Sequence, residues 1–143
     1  MKEHHDRVLK SFPRTWYFPK WHLVTWHPLG VLDDTLADQI VAFIEMEERI
    51  QAAAFDRYVD LSGLTHVRLA AGHVFDIAKR RHRARGKVKS AFWTDKIVTM
   101  SLAYMFETFM ANATIEVRAF RKQGDAAEWL EVPIEILSEF PDS

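Results

Sequence analysis

Apolar and polar positions along this chain switch between a period near two and a period near 3.6. Trp16 to Leu32 is rich in aromatic and β-branched residues and is interrupted at Pro19-Lys20, which predicts two strands ending at Pro28-Leu29-Gly30. Leu36, Ile40, Phe43, Ile44 and Ile50 then recur at near-helical spacing, while Asp38, Glu45, Glu48 and Arg49 keep the opposite face polar. Asp33, Asp34 and Thr35 supply cap oxygens ahead of that helix. Phe55 to Leu61 reads as a strand stopped by Ser62-Gly63. Val67, Phe75 and Ala78 fall on one stripe of a second helix, whose end is marked by a run of cations and by Gly86.

Val88 to Trp93 predicts the next strand, and Thr94 or Asp95 caps a third helix reaching about Met110. Ala113 to Phe120 alternates, with Ile115, Val117 and Ala119 on one face and Glu116, Arg118 and Phe120 on the other. Gly124 to Leu130 is a short last helix limited by Pro133. The predicted order is β-β-α-β-α-β-α-β-α. It implies an α/β fold with a mixed, largely parallel sheet of four to five strands and about four helices. Residues 1–15 are expected to be a flexible arm, 16–131 a single domain, and 132–143 an acidic tail.

Composition narrows the class without changing this picture. The 143 residues suffice for one domain with a real core, and 48% apolar with 27% charged is ordinary for a globular protein. No apolar run approaches the ~20 residues of a membrane span, and Met1 to Lys10 lacks the apolar stretch of a secretory signal. The absence of cysteine excludes disulfides, thiolate metal sites and cysteine catalysis, and fits a cytoplasmic protein. The net charge of −1 conceals an asymmetry. Lys79 to Lys89 carries seven Lys or Arg and no acid, whereas Asp125 to Ser143 carries six acids and no Lys or Arg.

Three segments carry a resemblance. His22 to Ile40 contains a Gly30-Val31-Leu32-Asp33 turn between a strand and a helix, and Val59 to Leu64 reads Val-Asp-Leu-Ser-Gly-Leu. Thr114 to Leu130 joins a strand carrying Val117, Arg118 and Phe120 to an Ala-x-x-Trp-Leu helix. Together, over about residues 16–131, they resemble STAS domains and the SpoIIAA-like group of bacterial proteins. The resemblance implies a STAS-like fold and a role in protein interaction or regulation. In the anti-sigma-factor antagonists of that family a phosphorylatable Asp-Ser-Ser-Gly element opens the second helix. Here Arg68, Leu69, Ala70 and Ala71 stand there, so that switch does not carry over. The resemblance also makes Val67, Arg68, Leu69, Ala70, Ala71 and Gly72 the surface that faces a partner.

Helix three adds a second surface. Glu107 is its only charge between Ile97 and Met110, and apolar residues point in several directions. Such a helix requires burial on most sides. Self-association through Ile97, Met100, Tyr104, Met105 and Phe109 satisfies that requirement, which predicts a homodimer. An apolar ligand beside the helix satisfies it too. The basic run supplies Lys79, Arg80, Arg81, Arg83, Arg85 and Lys87 as contacts for an anion or an acidic partner. One expected neutralising partner is the acidic tail. No aromatic residues interleave the run, so nothing points to specific nucleic-acid binding.

Catalytic and metal chemistry find little support. The seven histidines show no zinc spacing. There is no Gly-x-Ser-x-Gly elbow, no P-loop and no Gly-x-Gly-x-x-Gly. Asp60 ends a strand near Ser62, His66 and Arg68, where turn stabilisation is the simpler role. The expectation is a non-catalytic STAS-like interaction or regulatory module without metal or cofactor, the alternative being a small-molecule or lipid carrier.

Overall fold

The structure is a computed structural model that describes residues 7–82 and 86–138. Its main sheet has six strands in the order β1-β2-β3-β5-β7-β8. These are β1 (Val8–Leu9), β2 (Thr15–Phe18), β3 (Leu23–Trp26), β5 (Asp56–Asp60), β7 (Val88–Trp93) and β8 (Ile115–Phe120). The β2–β3 hairpin and the β1–β2 pair are antiparallel, while β3, β5, β7 and β8 run parallel. Two further strands, β4 (Gly30–Asp33) and β6 (Leu64–Arg68), pair with each other in a separate parallel ribbon. The predicted α/β architecture and four helices are therefore present, with more strands than expected. The additional strands are short or exposed, so they lack the apolar alternation that marks the others.

The helices are α1 (Asp34–Ile50), α2 (Ala71–Arg81), α3 (Ile97–Phe109) and α4 (Gln123–Leu130). Asp33 caps α1 as expected, accepting a hydrogen bond from the Leu36 amide at 2.9 Å. The parallel strands step across the sheet in one direction, so crossovers of one hand place α1, α2 and α3 on one face. There Trp26, Leu32, Ala37, Val59 and Ala103 form one buried cluster, and Ala78, Val88, Met110, Ile115 and Val117 another. The opposite face carries α4 and a 3-10 turn at Ile134–Leu137, packed on Phe18, Leu23, Tyr58 and Ala91. Central strands are thus covered on both faces, as parallel strands require.

Three expectations need correction. The arm expected over residues 1–15 is part of the fold from residue 7 onward. β1 pairs with β2, Thr15 is buried, and Phe12 packs 5.4 Å from Phe43 and 6.0 Å from Trp26 between ring centroids. The acidic tail expected over 132–143 is core up to residue 137, because Ile136 and Leu137 are fully buried beneath its charges. Val67 lies in β6 and not on the second helix, which begins only at Ala71. The β4 partner supplies backbone hydrogen bonds that the local pattern cannot reveal.

Gly63 shows why the β5–β6 turn has its sequence. Its carbonyl accepts the Gly30 amide at 3.1 Å, tying this turn to the start of β4. A Cβ at Gly63 would sit 2.6 Å from the Leu29 side chain and 2.9 Å from the Pro28 carbonyl oxygen, so only glycine fits this approach.

Candidate functional site

Between the sheet and the α1–α3 layer lies a cavity of about 150 Å³. β3 and β5 contribute Val24, Trp26 and Val59 to it, and α1 contributes Ala37, Ile40, Val41 and Ile44. Leu69, Val74 and Ile77 close it from the α2 side, and Leu102, Ala103 and Phe106 from α3. The period-3.6 stripes of three helices and alternate residues of the strands therefore converge on one apolar space. Ala37 and Ala103 are the small residues that leave it open, since each is almost fully buried without filling the gap between layers.

Arg57, Arg81 and Ser90 are the polar residues beside this cavity. Arg57 of β5 and Arg81 of α2 also line a second, solvent-facing cleft of about 540 Å³ bounded by Glu45, Glu48, Arg49 and Arg80. Arg57 and Arg81 both donate to the Glu48 carboxylate, and Arg81 also reaches Glu45 at 3.3 Å. Arg80 Nε donates to Glu45 at 2.8 Å. The Arg80 hydrogen bond holds the Glu45 carboxyl below its usual range although burial opposes it. Burial pulls the Arg57 guanidinium down, against the favourable charge of Glu48.

The basic run predicted as an anion contact divides accordingly. Arg80 and Arg81 face the acids of α1, and Lys89 lies 3.7 Å from Glu131 while donating to the Trp129 carbonyl at 2.8 Å. Glutamates of α1 thus pair with Arg80 and Arg81, because α1 and α2 are neighbours on one face, while Lys89 meets an acid of the C-terminal stretch. Lys79 and Lys87 are exposed, with Lys79 3.9 Å from Asp76. Arg83 and Arg85 lie outside the described residues.

A second polar cluster sits on the other side of the sheet. His27, which follows β3, places Nδ1 3.0 Å from Asp60 Oδ2. The Ser62 amide and hydroxyl donate to Asp60 Oδ1 at 2.9 and 2.6 Å. Burial raises the Asp60 carboxyl, and the hydrogen bonds from His27 and Ser62 outweigh it, leaving it below the usual carboxylate range. His66 is exposed and bonded to Thr65, and Arg68 is exposed, so the polar group imagined around Asp60 does not assemble with them. His27 takes their place. Its role was hidden because the two strand ends meet only in the sheet. Among the described residues no group of three or more His, Asp or Glu is placed to hold a metal ion.

The predicted interaction residues are distributed unevenly. Arg68, Ala70, Ala71 and Gly72 are exposed, and Val67 and Leu69 are partly buried. On α3, Ile97 is 84% and Tyr104 47% exposed, while Met105 and Phe109 are half-buried. Met100 is buried at 7% exposure and is not a surface residue, because it faces the sheet with Thr99 and Ala103. Two surface residues were missed. Val98 is 66% exposed, and Phe75 of α2 is 47% exposed with its ring 5.4 Å from that of Phe109.

No family model matches the chain, and no curated protein matches it. A solved structure of an uncharacterised DUF3478-family protein with a SpoIIAA-like fold, from Shewanella loihica PV-4, is similar to it. The match covers 87% of this chain and 90% of that one, with a TM-score of 0.51 at 14% identity. The fold is SpoIIAA-like. Within this SpoIIAA-like fold, Arg68 ends β6 and Ala71 opens α2. No helix among the described residues is long and apolar enough to cross a membrane.

Proposed function

We propose that the chain is a non-catalytic ligand-binding module whose site is the apolar cavity between the sheet and α1–α3. The observation that carries this reading is about 150 Å³ of space walled by aliphatic and aromatic side chains. Interiors of this kind are otherwise close-packed, and a cavity of about this size with such walls holds a molecule as large as benzene. Support for the non-catalytic part comes from Asp60, whose two oxygens are already engaged by His27 and Ser62 away from solvent. The cysteine-free composition favours the cytoplasm as its location. Titration with benzene, followed by chemical shifts of cavity-lining methyl groups, tests the reading. One saturable site is expected at Leu102 and Ile77; shifts spread over the surface without saturation would end it.

A second reading is self-association through α3 as a homodimer. Ile97 and Val98 favour it, being 84% and 66% exposed at adjacent positions. Under this reading an Ile97→Glu variant is a folded monomer by sedimentation while the parent chain is a dimer. A monomeric parent at all accessible concentrations removes it.

A further inference from the structure

We propose that the ligand of the cavity is an amphipathic carboxylate, with its apolar end inside and its head group at the wall formed by Arg57 and Arg81. This rests on the ligand-binding reading above and adds the chemistry of the head group. Three observations carry it.

Arg57 and Arg81 line both the internal cavity and the solvent-facing cleft. They therefore stand where an apolar interior meets a polar opening, the place an amphipathic molecule would span. The two side chains are also nine-tenths or more buried. A buried cation requires a paired anion, and these two share the carboxylate of Glu48. The guanidinium fork matches a carboxylate, so the wall is already arranged around the group the ligand would present.

The pairing is also incomplete. The cleft is bounded by Arg49, Arg57, Arg80 and Arg81 against Glu45 and Glu48, a surplus of positive charge. Arg57 Nε is buried without a hydrogen-bond partner among the described residues. A native structure rarely leaves such a donor unmet, and a carboxylate that displaced the packing around it would supply the acceptor. The size of the cavity sets the apolar part at roughly that of a benzene ring, which a short alkyl chain fills.

The experiment compares three probes with the same chain, hexanoate, hexan-1-ol and hexylamine, by calorimetry at neutral pH and low salt. Hexanoate is expected to bind about tenfold more tightly than hexan-1-ol, the scale of one charge-assisted hydrogen bond. Hexylamine is expected to bind more weakly than either. In an Arg57→Met variant the advantage of hexanoate disappears while hexan-1-ol binds as before. Equal binding of hexanoate and hexan-1-ol to the parent chain, or tighter binding of hexylamine, overturns the carboxylate assignment and leaves the cavity reading intact. Failure of benzene and of all three probes overturns both. The comparison of head groups uses the parent chain alone, so it decides the matter even where Arg57→Met fails to fold.

Discussion

His27 Nδ1 lies 3.0 Å from Asp60 Oδ2, joining the residue after β3 to the last residue of β5. The contact closes the ends of two neighbouring parallel strands, and Ser62 completes it from the turn that follows. Asp60 is held below the usual carboxylate range because these bonds favour its charged form more than burial penalises it. The sign follows from the lowered folded-state value. The contribution is full above the pKa of the unfolded chain and is lost as the pH falls through that of the folded chain. Asp60→Asn is expected to cost about 1–3 kcal/mol at neutral pH and to flatten the acid limb of stability. Urea denaturation across the acid range measures this, and identical acid limbs in parent and variant would count against it.

The two faces of the sheet should respond differently to added volume. Ala103 borders the cavity, whereas Ala126 sits at 0% exposure in the filled cluster under α4. Ala126→Leu is expected to cost about 1–3 kcal/mol through overpacking. Ala103→Leu has room to enter, so its stability should stay within about 1 kcal/mol of the parent while benzene binding is lost. Equal destabilisation by the two substitutions in thermal unfolding would mean that the space beside Ala103 is not open.

The C-terminal 3-10 turn behaves as core despite its acidic sequence. Ile136 is 0% exposed and packs in the cluster that covers Tyr58 and Leu23. Ile136→Ala is expected to cost about 2–5 kcal/mol, as for other buried aliphatic truncations. Glu135→Ala, one residue earlier on the exposed side, should change stability by less than about 0.5 kcal/mol. A negligible effect of Ile136→Ala in chemical denaturation would return this segment to the status of a tail.

Gly63 and Gly72 form a contrasting pair. A Cβ at Gly63 meets the Pro28 carbonyl oxygen at 2.9 Å, a backbone atom that cannot swing away, whereas nothing lies within 4 Å at Gly72. Gly63→Ala is expected to destabilise by about 1–3 kcal/mol through displacement of the β3–β4 connection. Gly72→Ala, near the start of α2, should stabilise by about 0.5–1 kcal/mol because alanine is the better helix former. Melting temperatures moving in the same direction for both would contradict this account.

Periodicity made the regular elements legible. Val88–Trp93 has the predicted bounds, the other predicted strands and helices lie within a few residues of theirs, and Asp33 is the cap. These follow from local rules, since a strand alternates, a helix repeats every three to four residues, and a short polar side chain closes its first turn. The motifs at His22–Ile40, Val59–Leu64 and Thr114–Leu130 were enough to indicate a SpoIIAA-like fold, which the solved structure with that fold supports. The overall α/β class was likewise a property of the chain itself.

What the sequence could not determine was which residues from distant segments share a space. β4 and β6 pair with each other across more than thirty residues, and neither is a convincing strand alone. His27 meets Asp60, and Arg57 and Arg81 meet Glu48, only because the sheet order and the layering of α1 against α2 bring them together. The burial of Met100 and the exposure of Ile97 on the same helix depend on which side faces the sheet. The cavity is the clearest case. It arises where stripes from three helices and several strands stop short of filling the space between layers, and packing across layers has no counterpart in local periodicity.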